Sequence, residues 1–132
     1  MAQDSIFTKI IKGEIPAHKI YEDDKVLAFL DIHPVRAGHT LVIPKTQVDH
    51  IDELEDDDYS HLMAVVKKLS LHLKKNIDCI RVAQVVFGLD VPHAHVHLIP
   101  LHDGSEISLQ HDMQSEPDQE ALGETAKSLQ IS

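Results

Sequence analysis

The sequence predicts a single domain that combines α-helices with a β-sheet. The chain has 132 residues, of which 42% are hydrophobic, and this is enough apolar material for one compact core. Apolar residues recur at helical spacing in one long segment, and five other segments have the composition of β-strands. A protein built from both kinds of element is therefore expected.

The first helix and the strands are separated by recognisable breaks. A short helix is predicted over residues 6–11, because the apolar residues of IFTKII recur at helical spacing. Gly13 and Pro16 then end that helix. Strands are predicted in the segments 19–21, 26–32, 39–44, 80–87 and 91–101.

A long helix is predicted over residues 57–75, at the end of a strongly acidic segment. Six of the seven residues at 52–58 are acidic, and carboxylates at a helix N-terminus stabilise its free N–H groups. One apolar stripe runs along this helix, formed by Tyr59, Leu62, Met63, Val66, Leu69 and Leu73. His61 and His72 fall on the opposite side, so both are predicted to be solvated.

The charge and hydropathy of the chain argue against two classes of partner. The formal net charge is −10, and residues 1–100 hold 15 acidic and 11 basic residues. Because no basic patch is evident, a nucleic acid polymer is not expected as a partner. The apolar runs are too short to span a bilayer and the first residues lack a secretory pattern, so we expect a cytoplasmic protein without a membrane partner.

The C-terminal segment differs in composition from the rest of the chain. Residues 102–132 form an acidic tail, in which Lys127 is the only lysine or arginine. A short helix is predicted within this tail over residues 117–129. Residues 1–101 are predicted to form the folded domain.

Three histidines alternate with apolar residues in HAHVHLI, residues 93–99. Side chains alternate between the two faces of a strand, so His93, His95 and His97 are predicted to share one face. The apolar residues between them would be buried on the other face, which fixes the register. Three imidazoles on one strand face indicate a functional site.

Two kinds of chemistry fit this histidine pattern. A metal site would use two of the three histidines, with His39, Asp31 or another residue completing the set of ligands. Alternatively, one imidazole attacks phosphorus while its neighbours orient it and neutralise the phosphate oxygens. The second chemistry gives all three histidines a role and needs no metal.

The motif resembles the signature of the histidine-triad (HIT) family, His-φ-His-φ-His-φ-φ, where φ is apolar. The segments SIFTKIIKGEIPAHKIYEDDKVLAFLDIHP (5–34) and GHTLVIPK (38–45) resemble the histidine triad nucleotide-binding (Hint) branch. The resemblance covers about residues 5–101. It implies an α+β fold in which a five-stranded antiparallel sheet carries one long helix and a short N-terminal helix. It also implies that two subunits pair into a ten-stranded sheet.

The resemblance implies roles for individual residues. His95 corresponds to the nucleophile that attacks the α-phosphorus of a nucleotide, His97 to the residue that contacts the phosphate, and His93 to the residue that positions the nucleophile. His39 corresponds to a fourth histidine packed near the triad. The nucleotide-binding positions carried over are Ile6, Phe7, Ile10, Phe29 and Ile32 around the base, Asp31 on the ribose, and Leu89 and Asp90 near the phosphates.

The sequence departs from the family pattern at two groups of positions. Ser5, Thr8 and Gln47 stand where many members have two cysteines and a histidine, so the zinc of those relatives is not expected here. Leu89 and Asp90 replace polar residues that usually contact phosphates. A carboxylate would repel a polyphosphate, so a nucleotide that bears an amine or acyl group is the favoured substrate.

We therefore expect a homodimeric hydrolase of AMP- or GMP-type nucleotides that acts through a covalent nucleotidyl-histidine, without a metal or other cofactor. Three alternatives remain open at this point. The protein could be a nucleotide-binding sensor with weak or no turnover, a dinucleoside polyphosphate hydrolase, or a metal-dependent hydrolase.

Overall fold

Five antiparallel strands form one sheet with the strand order β1-β2-β3-β5-β4 in the computed structural model, which describes residues 3–131. The strands are β1 (Lys19–Glu22), β2 (Val26–Leu30), β3 (Thr40–Pro44), β4 (Arg81–Val85) and β5 (Val96–Leu101). The helices are α1 (Ile6–Ile11), α2 (Asp56–Asn76), α3 (Gln119–Ser128) and a single 3-10 turn (Ile51–Glu53). This arrangement confirms the α+β class with a five-stranded antiparallel sheet.

The two faces of the sheet are covered by different helices. The face under α2 contains the larger apolar cluster, which includes Val26, Ala28, Val42, Val96 and Leu98. The opposite face packs against α1 through Phe7, Ile10, Leu27, Phe29, Leu41 and Ile43. Because β2 and β3 are covered on both faces, they are continuous apolar runs instead of alternating patterns.

The N-terminal part of the predicted last strand does not pair with the sheet. The strand begins at Val96 and not at residue 91, so only His97 of the triad lies within it. Pro92 has no N–H group, and the N–H group of His93 donates to the carbonyl of Val91 at 2.8 Å. The N–H group of Ala94 donates to the carbonyl of Val48 at 2.7 Å. Residues 91–95 therefore form a turn that leads into β5.

The other strand boundaries also differ from prediction at their ends. The predicted 26–32 strand ends at Leu30, and the predicted 80–87 strand occupies only Arg81–Val85. His39 lies just outside β3, and its N–H group donates to the carbonyl of Arg36 at 3.0 Å. Local turns thus shorten these strands.

Helix α2 has the predicted position, but its buried face is broader than predicted. Its buried residues are Leu62, Val65, Val66, Leu69, Ser70 and Leu73, whereas Tyr59 is exposed. The prediction that His61 is merely solvated was wrong, because its Nε2 lies 2.7 Å from Asp23 Oδ2. The interaction crosses from α2 to the β1–β2 turn, which the sequence spacing of α2 does not show.

The acidic tail contains a helix but buries little of it. Helix α3 is close to the predicted 117–129 segment, and the carboxylate of Asp118 caps it by accepting from the N–H group of Ala121 at 3.0 Å. All of its side chains are exposed. Within residues 3–131, no helix combines the length and hydropathy that crossing a membrane requires.

Candidate active site

The histidines that the sequence singles out lie together on the α1 side of the sheet. The rings of His95 and His97 have centroids 4.9 Å apart, and the ring of His39 lies 5.2 Å from that of His97. The ring of Phe7, on α1, lies 5.1 Å from that of His95. His39 is brought there because Leu41 of β3 pairs with His97 of β5. The prediction that these histidines share one site is consistent with this geometry.

A single hydrogen bond decides which nitrogen of His95 can react. Its Nδ1 lies 2.8 Å from the carbonyl oxygen of His93. A carbonyl oxygen only accepts, so Nδ1 carries the proton and donates it. In the neutral imidazole, Nε2 then carries the lone pair, which is the form a nucleophile needs.

His39 fixes the proton position of His97 in the opposite sense. The backbone N–H group of Val35 donates to His39 Nδ1 at 3.1 Å, so the proton of neutral His39 is on Nε2. That proton is donated to Nδ1 of His97, 2.9 Å away. Neutral His97 therefore presents Nε2–H as a donor, in contrast with the Nε2 lone pair of His95.

Burial keeps these supporting imidazoles neutral near pH 7. It lowers the pKa of His39 below its usual value, against a smaller effect of the Asp31 carboxylate. Burial also lowers the pKa of His97, and the neighbouring His95 and His39 add to that effect. The neutral forms required by the hydrogen bonds are consequently the favoured forms.

His93 is fully buried and is held at both ring nitrogens. Its Nε2 donates to the carbonyl of Pro44 at 2.7 Å, and its Nδ1 lies 2.7 Å from Ser5 Oγ. Burial lowers the pKa of His93 as well. The ring does not reach the cavity as a reactive group, and its backbone carbonyl is what contacts His95.

An apolar cavity of about 270 Å³ opens beside the histidines, between α1 and β2. Its walls include all six predicted base and ribose residues, namely Ile6, Phe7, Ile10, Phe29, Asp31 and Ile32. Further lining residues were not predicted: Ile15, Pro16, Ala17, Leu30, His33, Leu41 and Val91. The rings of Phe7 and Phe29 meet edge to face at 5.5 Å, which builds a rigid wall.

Asp31 lies where the cavity meets the histidines. Its Oδ1 accepts from the N–H group of His33 at 2.8 Å, and this bond caps the turn after β2. Its Oδ2 lies 3.6 Å from Nε2 of His39. The residue therefore caps a turn and also presents a carboxylate oxygen at the cavity wall.

The comparisons with known proteins agree with this geometry. The family model described as the HIT domain matches residues 12–104, which contain all four of these histidines. The chain belongs to the histidine-triad family. It is 46% identical over 103 residues to an uncharacterized HIT-like protein of Methanocaldococcus jannaschii, a match that covers 75% of this chain and 80% of that protein.

Solved structures of HIT proteins and their relatives have the same fold. A crystal structure from Streptococcus mutans UA159 aligns with a TM-score of 0.87 and 37% identity, covering 98% of this chain and 85% of that chain. A histidine triad nucleotide-binding protein from Candida albicans aligns with a TM-score of 0.74 and 36% identity, covering 96% of this chain and 94% of that chain. The fold described above is therefore the HIT fold.

The predicted phosphate positions of this HIT protein lie on its surface. Leu89 is 85% exposed, and Asp90 follows it in the same exposed loop. Neither residue lines the 270 Å³ cavity. Phe87 was not predicted, yet its exposed ring lies 6.1 Å from that of His97. The loop before the triad thus borders the histidines with an aromatic side chain.

Asp31, His39 and His97 are close enough together to raise the question of a metal site. One potential ligand atom from each lies within 4.8 Å of the others. However, a nitrogen ligand needs a free lone pair, and the His39 lone pair already accepts from the N–H group of Val35. The hydrogen bonds therefore favour a proton between His39 and His97, and they do not favour a metal.

The positions of the zinc ligands in other HIT proteins also lack suitable donors here. Ser5 and Thr8 offer hydroxyl groups and Gln47 an amide, whereas zinc prefers thiolate, imidazole and carboxylate. These three side chains are engaged with one another and with His93 through hydrogen bonds of 2.6 to 3.3 Å. These side chains do not fit zinc as ligands, and they form hydrogen bonds with one another and with His93 instead.

Proposed function

We propose that this HIT protein hydrolyses nucleotides by transferring a nucleoside monophosphate first to His95 and then to water. The hydrogen bond from His95 Nδ1 to the carbonyl of His93 carries this proposal, because it leaves the lone pair on Nε2 of a ring that lies 5.1 Å from Phe7 in the cavity wall. The neighbouring imidazoles of His93 and His97 have lowered pKa values, so both are neutral and place no positive charge beside His95.

The 270 Å³ cavity, whose wall residue Phe7 lies against His95, suits the base and sugar of a nucleotide. Its walls are almost entirely apolar, with the edge-to-face pair Phe7 and Phe29 available to contact a purine. Asp31 is the acid among its lining residues and would accept from the ribose hydroxyls. An AMP- or GMP-type substrate bound in this way would direct its phosphate toward the histidines.

Two displacements at phosphorus complete the proposed reaction. His95 Nε2 attacks the α-phosphorus, an N–P bond forms, and the leaving group departs with the electrons of its bond to phosphorus and takes up a proton from solvent. The Nε2–H group of His97 donates to a phosphate oxygen as charge develops. Water then attacks the same phosphorus and releases a proton to solvent, the N–P bond breaks with its electrons returning to Nε2, and the nucleoside monophosphate leaves with His95 restored.

The loop before the triad favours a leaving group of low negative charge. The side chain of Leu89 offers no hydrogen-bond donor, and the negative charge of Asp90 acts weakly against the burial that lowers the pKa of His97. A polyphosphate leaving group would meet this carboxylate without a compensating donor from Leu89. We therefore propose phosphoramidates or acyl nucleotides as the preferred substrates.

Covalent trapping tests the enzymatic proposal directly. The protein is mixed with adenosine phosphoramidate, quenched and weighed by mass spectrometry, together with His95→Ala and the control His72→Ala on the exposed side of α2. We expect an adenylyl adduct in the wild-type and His72→Ala proteins and none in His95→Ala. Turnover that persists in His95→Ala would refute the proposal.

A nucleotide-binding module without turnover is the second candidate. The exposed positions of Leu89 and Asp90 favour it, because this loop supplies no side-chain donor to the phosphates at those residues. The same experiment separates the two candidates. Calorimetric binding of AMP without any adduct or product from the phosphoramidate would support the module.

We further propose that the protein acts in the cytoplasm as a homodimer whose two sheets join into one of ten strands. Strand β4 is at one edge of the sheet, where its outer backbone groups can pair with a second copy. Sedimentation equilibrium should give twice the mass of the chain. A monomer at the concentrations used for the kinetic assays would contradict the dimer.

A further inference from the structure

Four polar side chains from three distant segments meet beside the catalytic histidines. Ser5 precedes α1 and Thr8 lies within it, Gln47 follows β3, and His93 precedes β5. Ser5 and His93 are both buried, and their Oγ and Nδ1 atoms lie 2.7 Å apart. Thr8 Oγ1 donates to Gln47 Oε1 at 2.6 Å.

The direction of the Ser5–His93 hydrogen bond follows from the other nitrogen of the ring. The carbonyl of Pro44 only accepts, so His93 Nε2 must carry a proton. Because His93 is neutral, its Nδ1 has a lone pair and the hydroxyl of Ser5 donates to it. Ser5 Oγ in turn accepts from the N–H group of Thr8 at 2.9 Å.

Gln47 fixes the proton positions at the other end of this network. Its Oε1 accepts from the backbone N–H group of Ser5 at 2.9 Å as well as from the hydroxyl of Thr8. Its Nε2 donates to the carbonyl of Gln3 at 2.8 Å. The hydroxyl proton of Thr8 is thereby committed to Gln47, which leaves Ser5 as the donor to His93.

We propose that Ser5 is a positioning residue for the nucleophile, an inference that rests on the proposed function. Its hydroxyl selects the Nε2–H tautomer of His93 and holds the ring against the carbonyl of Pro44. With its ring held at both nitrogens, residue 93 keeps its own carbonyl directed at His95 Nδ1. Ser5 thus acts on His95 through two hydrogen bonds and has no contact with substrate.

The kinetic test compares Ser5→Ala with Ser5→Thr, and it uses Ser60→Ala, at an exposed position of α2, as the matched control. Ser5→Ala removes the donor to His93, and the loss of one buried hydrogen bond should lower kcat about tenfold while KM changes little. Ser5→Thr keeps a hydroxyl and should restore most of the rate. Ser60→Ala also removes a serine hydroxyl but leaves the Ser5–His93 bond in place, so its kcat should remain close to wild type.

A spectroscopic test follows the imidazole itself and does not depend on turnover. In the wild-type protein labelled with ¹⁵N-histidine, the NMR spectrum should show His93 with a protonated Nε2 and a hydrogen-bonded, unprotonated Nδ1. In Ser5→Ala, the Nδ1 signal should move toward the position of a free imine nitrogen. A protonated Nδ1 in the wild-type protein would overturn the inference, even if Ser5→Ala does not fold.

The possible failures are distinguishable from one another. If wild-type protein forms no adduct with adenosine phosphoramidate, the proposed function fails and the positioning role fails with it. If wild-type protein forms the adduct but Ser5→Ala keeps the same kcat and the same His93 spectrum, only the role of Ser5 is refuted.

Discussion

Replacing His39 with alanine tests whether the second imidazole supports the site through His97. The substitution removes two interactions, the hydrogen bond from Val35 to Nδ1 and the hydrogen bond from Nε2 to His97. Val35 is exposed, so water can replace the first partner. Loss of the second hydrogen bond leaves Nδ1 of the half-buried His97 without a donor.

The magnitude follows from the His97 interaction. An unpaired buried acceptor costs about 1–3 kcal/mol, which at about 1.4 kcal/mol per factor of ten corresponds to roughly 5- to 150-fold. The same loss frees His97 to exchange tautomers, so the donor that would face the phosphate is present only part of the time. We expect His39→Ala to lower both the free energy of unfolding and kcat.

Two assays and one control check this prediction. Urea unfolding measures the stability change, and steady-state hydrolysis of adenosine phosphoramidate measures kcat. His72→Ala, on an exposed face of α2, should change the free energy of unfolding by less than about 0.5 kcal/mol. A His39→Ala protein with wild-type stability and wild-type kcat would refute the reasoning.

Three further predictions concern the cavity, a turn and the loop before the triad. Ile32→Ala should raise KM by about tenfold, because the contact of Ile32 with the base is lost, and calorimetry with AMP should show the corresponding loss of affinity. Since Ile32 is 75% exposed, its replacement should leave the free energy of unfolding unchanged, which urea unfolding checks. Asp23→Asn should cost about 1–3 kcal/mol of stability. Partial burial raises the pKa of Asp23, but hydrogen bonds from Tyr21, His61 and two backbone N–H groups outweigh this effect and lower the pKa. The stabilisation should therefore be complete above about pH 4, the pKa of an unfolded aspartate, and should be lost as the pH falls toward the lower pKa of Asp23 in the folded protein. A wild-type advantage over Asp23→Asn that grows on acidification would contradict that sign. Asp90→Asn should raise the rate on diadenosine polyphosphates relative to adenosine phosphoramidate, and an unchanged ratio in competition assays would show that the carboxylate does not select the leaving group.

Periodicity and spacing predicted the parts of this fold that depend on local patterns. Helix α1 has the predicted bounds, and the apolar runs at β2 and β3 became the two strands that are buried on both faces. The alternation in HAHVHLI predicted that His95 and His97 lie side by side, and their ring centroids are 4.9 Å apart. These features follow from side-chain periods that can be read within ten residues.

The features that escaped prediction depend on contacts between distant segments. Ser5 and His93 are 88 positions apart, and nothing in either local sequence shows that they meet. The late start of β5 depends on the bond from Ala94 to Val48, which also joins distant segments of the chain. His61 was misjudged for the same reason, because its partner Asp23 belongs to a turn on another element.

The strand order has a consequence for how the site is assembled on a growing chain. Strand β5 is the last strand to be synthesised, yet it lies between β3 and β4 and not at an edge. A chain that stops before Val96 therefore lacks an interior strand, and β4 has no neighbour to which it can bond. Both the sheet and the imidazole cluster are completed only when β5, which carries His97, takes its place between β3 and β4.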